Sequence, residues 1–135
     1  MTTWDRDDAW IFLAATMRGR VDIRTLDRGA DYMMHSRPNP TQVSASMSKL
    51  IGAGLFRFNG RSVRAQPDAL TIANRAASST EVSPWEPGGW IDSALAELHR
   101  CDVHRPAEPP AGFSSWYDVL AERRASRWRR LLTKV

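Results

Sequence analysis

KLIGAGLFRFNGRSVRA, residues 49–65, holds the end of one helix, a reversal of the chain and three arginines within a few turns of backbone. Leu50 and Ile51 continue an apolar helical spacing that Gly52 and Gly54 bring to an end. Phe56, Phe58 and Val63 favour strand, and Asn59-Gly60 between them predicts a two-residue hairpin turn. In that register Phe58 opposes Arg61, Arg57 opposes Ser62 and Phe56 opposes Val63. Phe56 and Val63 then share the face that packs on helices, Arg57 and Arg64 point away from it, and Arg61 sits at the tip.

Upstream of this hairpin the spacing predicts three helices. The first spans Trp4 to Met17, with Asp5, Asp7 and Asp8 in its first turns, where the helix dipole favours negative charge. Trp10, Leu13, Ala14 and Met17 form its core face, and Gly19 stops it. Val21 marks a very short strand. Asp22 then caps a second helix over 23–34, with Ile23, Leu26, Ala30, Met33 and Met34 turned inward. After the connector HSRPN, Asn39 caps the third helix and Pro40 occupies its first turn, where a missing amide costs nothing. Val43, Met47, Leu50 and Ile51 are its buried stripe. Downstream of the hairpin, Pro67 opens a fourth helix that ends near Ala77.

The order helix, short strand, helix, connector, helix, hairpin, helix resembles the winged helix-turn-helix fold of bacterial transcription regulators. The resemblance rests on TLDRGADYMMHSRPNPTQVSASMSKLIGAGLFRFNGRSVRA, residues 25–65, and above all on SKLIGAGLFRF. It covers the first half of the chain and lies in the fold pattern rather than in a signature. The connector HSRPN is longer than the usual turn of three or four residues. The fold class expected is mainly α with a small β-hairpin: a winged helix-turn-helix domain over 1–77, a linker over 78–89 and a helical extension over 90–135.

That resemblance implies a regulator that binds double-stranded DNA. The third helix enters the major groove through the residues left outside its buried stripe, namely Thr41, Gln42, Ser44, Ala45, Ser48 and Lys49. Glutamine pairs with adenine, whereas serine and threonine bond bases or phosphates with little selectivity. Arg57, Arg61 and Arg64 on the wing then hold phosphate. The rival reading is a protein-interaction module of the same fold, whose hairpin arginines are merely solvated. The third helix carries no arginine, which is thin for base readout.

Composition and charge fit either reading. The 135 residues, 42% hydrophobic and 25% charged, are those of a soluble globular chain large enough to bury a core. No apolar run reaches the roughly 18 residues of a membrane span, so no membrane partner is expected. The opening MTTWDRDDAW is unlike a signal peptide, and the lone Cys101 excludes an internal disulfide, so a cytoplasmic location is expected. Net charge is +4, but its distribution says more. Between Asp31 and Asp68 there is no acid, while Arg37, Lys49, Arg57, Arg61 and Arg64 fall inside.

The second half predicts a linker in SSTEVSPWEPGG, a helix over 90–100 and a final basic helix from Ser115. Trp116, Trp128, Leu131 and Leu132 give that last helix a docking or homodimerising face. Its arginines also suit phosphate, or an anionic membrane surface. His99, Cys101 and His104 match no standard zinc-ligand spacing and lack an evident fourth ligand, so no metal is expected. Ser46-Met47-Ser48-Lys49 spells S-x-x-K, but the partner motifs of that enzyme class are absent. With no phosphate loop or nucleophile elbow either, neither enzyme activity nor a cofactor is expected.

Overall fold

A computed structural model describes residues 4–34, 39–79 and 87–100. Helices α1 (Arg6–Thr16), α2 (Ile23–Met34), α3 (Pro40–Gly52), α4 (Pro67–Ser79) and α5 (Pro87–His99) accompany a small antiparallel sheet. Its strands β1 (Arg20–Asp22), β2 (Phe56–Phe58) and β3 (Ser62–Ala65) lie in the order β1-β3-β2. The connector residues 35–38, Cys101, His104 and the final helix expected from Ser115 lie outside the described residues, as do the side chains of Ile23, Met33 and Met34.

Helix α1 is the hub, packing on α2, α3, α4, α5 and the sheet. Its sequence RDDAWIFLAAT is apolar almost all round after the first turn, as a helix surrounded by protein must be. Ala9 and Ile11 to Ala15 are all buried. Small residues let α2 approach it closely: a Cβ added at Gly29 would sit 3.4 Å from the Ala14 carbonyl oxygen. Trp10, half-buried, ties the same two helices by donating its indole N–H to the Ala30 carbonyl at 3.0 Å. Phe12 meets Phe56 edge-to-face, with ring centroids 6.0 Å apart, and so joins α1 to the sheet. Met17, expected on the core face, is 48% exposed instead, because α1 ends at Thr16 and leaves Met17 as its C-cap.

The caps explain where the other helices begin. Asn39 accepts the Thr41 amide at 2.8 Å and Pro40 takes the first helical position of α3. Asp22 accepts both the amide and the hydroxyl of Thr25, at 2.8 and 2.9 Å, and starts α2. Helix α5 begins at Pro87, inside the stretch expected to be linker, and α4 runs on to Ser79. Both ends narrow that linker, since proline suits a first helical turn. Ile91, Ala94 and Leu98 of α5 join the core of α1, and Arg6 reaches across to Asp92 at 3.1 Å.

The hairpin differs from the expected register. Phe58 pairs with Val63, Arg57 with Arg64 and Phe56 with Ala65, so the pairing is shifted by two residues and Asn59, Gly60 and Arg61 connect the strands. The reason is the Asn59 side chain. Its Oδ1 accepts the amides of Arg61 and Ser62 at 3.0 and 2.8 Å, wrapping the loop around itself. Gly60, at φ +98, supplies the left-handed step. A shift of two residues preserves the faces. Phe56, Val63 and Ala65 remain buried, and Arg57 and Arg64 remain exposed.

The cap at Asp22 has a pH signature. The Thr25 amide above all, with help from the Thr25 hydroxyl and the Arg24 amide, holds the Asp22 carboxyl below the usual aspartate range against the opposing effect of burial. A carboxyl depressed on folding stabilises above its unfolded pKa, and that contribution is lost as pH falls through the folded value. Asp22→Ala is therefore expected to lower Tm at neutral pH, by a margin that shrinks as pH falls below about 4. Thermal melts across that range check it, and a margin independent of pH contradicts it.

Candidate nucleic-acid interface

Two groups of side chains dominate the region expected to meet a ligand, and they do opposite things. The first lies between α1 and α3. Asp5 and Asp8 form a capping box, in which the Asp8 amide donates to Asp5 at 2.8 Å and the Asp5 amide donates to Asp8 at 3.0 Å. Asp8 is 0% exposed, and its second role emerges from α3. The Ser46 hydroxyl donates to Asp8 Oδ1 at 2.7 Å, and Lys49 Nζ donates to Asp8 Oδ2 at the same distance. Gln42 Nε2 in turn donates to Ser46 Oγ at 2.9 Å. A fully buried carboxylate is thereby paired and hydrogen-bonded on both oxygens, the condition for tolerating its desolvation.

This cluster brings Ser46 of the S-x-x-K string beside Lys49 and a carboxylate. The grouping looks nucleophilic, but Ser46 is 0% exposed, its proton is committed to Asp8 and its oxygen already accepts from Gln42. Nothing can reach it. Its work is to lock α3 onto α1.

The lock redistributes the residues of α3. Of those expected to face a groove, Gln42 is bonded to Ser46 and Lys49 to Asp8, while Thr41 and Ala45 are exposed and Ser44 and Ser48 half-exposed. The Ser48 hydroxyl donates to the Ser44 carbonyl at 2.8 Å within the helix. The open face of α3 is thus short and neutral.

The second group lies on the sheet. Arg20 pairs with Arg64 across β1 and β3, and Arg64 pairs with Arg57 across β3 and β2. All three are exposed, so three guanidinium side chains stand side by side on the outer face. Adjacent strands lie about 5 Å apart. Like charges directly opposite each other destabilise a sheet, by a few tenths to about 1 kcal/mol per pair. Among the described residues none of the three has a carboxylate partner; Arg20 only donates its Nε–H to the Ser62 hydroxyl at 3.1 Å. Asp22, the one acid in the strands, is committed to the α2 cap. Arg61 is exposed on the loop at the end of the hairpin.

Arg20 was not among the expected site residues. The signal was the short strand around Val21, whose neighbours necessarily face outward if Val21 faces in. Elsewhere, Thr71, Asn74, Arg75, Ser78, Glu97 and Arg100 line a shallow groove between α4 and α5, open to solvent. Among the described residues no group of three or more histidine, cysteine, aspartate or glutamate side chains is placed to hold a metal ion, and no helix is long and apolar enough to cross a membrane. No protein-family model, curated protein or solved structure matches the chain.

Removing Lys49 leaves the buried Asp8 carboxylate without its cation. Lys49→Met is expected to cost about 2 kcal/mol in urea unfolding, reduced from a fully buried pair by the partial exposure of Lys49. Combined with Asp8→Asn, the double variant is expected to lose at least about 1 kcal/mol less than the sum of the singles. Additive losses contradict the pairing.

Proposed function

We propose that this chain is a winged-helix protein that binds duplex DNA. The element order α1-β1-α2-α3-β2-β3 and the strand order β1-β3-β2 support the fold part of that reading. Helix α3 takes the groove-facing position and the β2–β3 hairpin forms the wing. The observation that carries the binding part is the row Arg20, Arg64 and Arg57. A protein that gains nothing from it would be expected to disperse or neutralise three aligned cations. Phosphate oxygens suit them, since the guanidinium fork pairs with phosphate bidentately.

A protein-interaction module of the same fold remains the second reading. It is favoured by one observation: the longest polar side chains of α3, Gln42 and Lys49, are bonded within the protein to Ser46 and Asp8 rather than held out to a ligand.

Salt separates the two. Neutralising phosphates releases counterions, so affinity for a mixed-sequence duplex falls steeply as salt rises. The full chain is expected to bind such a duplex at low salt and to lose about 40-fold in affinity between 50 and 200 mM salt if three phosphates are neutralised. Replacing Arg57, Arg61 and Arg64 together with alanine is expected to abolish most of that binding. Absence of binding at low salt, or binding indifferent to salt, overturns the reading.

A further inference from the structure

We infer that recognition by this chain is sequence-tolerant: Arg20, Arg64 and Arg57 form a track for the phosphate backbone, and α3 supplies no base-discriminating contact. The inference rests on the duplex-DNA reading above and narrows it. Discrimination between bases in the major groove comes chiefly from long forked or paired donors, arginine or lysine on guanine and asparagine or glutamine on adenine. Helix α3 has two such side chains, Gln42 and Lys49, in its sequence PTQVSASMSKLIG. Gln42 donates to Ser46, and Lys49 sits on a carboxylate that is 0% exposed. Drawing Lys49 out to a base leaves that carboxylate buried without its cation, a loss that one base contact does not recover.

What α3 holds open is Thr41, Ser44, Ala45 and Ser48. The Thr41 and Ser44 side chains are too short for bidentate readout, the Ser48 hydroxyl donates to the Ser44 carbonyl, and Ala45 carries no polar group. The sheet is the complement of this. Its three arginines are exposed, aligned across three strands and without a carboxylate partner among the described residues. At about 5 Å from one strand to the next they present a dense row of positive charge to a polyanionic strand. Charge complementarity with a polyanionic backbone, rather than a pattern of base edges, is what this surface offers.

The test uses the full chain and a pool of duplexes randomised over twenty positions. After selection and sequencing, the account expects no enriched motif and dissociation constants within about threefold for duplexes drawn from the pool. Arg20→Ala, Arg57→Ala and Arg64→Ala are each expected to weaken all duplexes by the same factor and to lower the slope of log affinity against log salt by about 0.9, whereas Arg57→Lys preserves the slope. Thr41→Ala and Ser48→Ala are expected to change affinity less than twofold. An enriched consensus bound a hundredfold above the pool overturns tolerance while leaving the duplex reading intact. Slopes unchanged by the arginine variants overturn the track. Tighter binding of a single-stranded RNA of equal length, or no duplex binding at 50 mM salt, overturns both.

Discussion

The Asp8 carboxylate is the constraint on which the rest of this structure depends. It begins as an ordinary feature, the third-position acid of a capping box at the start of α1. Because α1 runs through the middle of the molecule, the same carboxylate is buried where α3 crosses it. A buried anion demands donors, and α3 answers with a hydroxyl and an ammonium one turn apart, Ser46 and Lys49. The demand fixes the rotation of α3 about its own axis. That rotation puts Val43, Met47 and Leu50 in the core and Thr41 and Ala45 in solvent. Local capping chemistry therefore decides which face of a distant helix is offered to a partner.

The sheet obeys a second constraint, the turn chemistry of Asn59. By collecting the amides of Arg61 and Ser62, it lengthens the loop and moves the pairing by two residues. The apolar contacts survive such a shift, because faces alternate with a period of two. The charges do not stay as they were. Arg57 comes opposite Arg64, which β1 already flanks with Arg20. The repulsion is modest in water and is screened by salt. The same alignment gives the sheet a positive face that has no carboxylate partner among the described residues.

Much of this architecture is legible in the sequence, and the failures have physical causes. Asp22, Asn39 and Pro40 mark the starts of α2 and α3 because cap preference is a local property. The mainly helical arrangement with a small sheet follows from spacing alone. The hairpin register departs from expectation because Asn-Gly reads as a two-residue turn on backbone preference alone, whereas the side-chain acceptor of Asn59 shifts the pairing. Asp8 reads as a dipole partner, since an acid in a first turn is usually exposed; its donors Ser46 and Lys49 come from α3, more than thirty residues away in sequence. Lys49 and Gln42 then looked available for the same reason. Val21 facing inward turns Arg20 outward, but nothing local in the sequence places β1 beside β3, and the alignment of Arg20 with Arg64 depends on that pairing.

The central claim is that the sheet arginines, and not the long polar side chains of α3, meet the ligand. Side-chain NMR during titration of the full chain with a short duplex measures that directly. The account predicts that the Nε–H signals of Arg20, Arg57 and Arg64 shift on binding while the Gln42 amide signals and the Lys49 side chain hold their free positions. Large shifts at Gln42 and Lys49, with the three arginines unmoved, would contradict it.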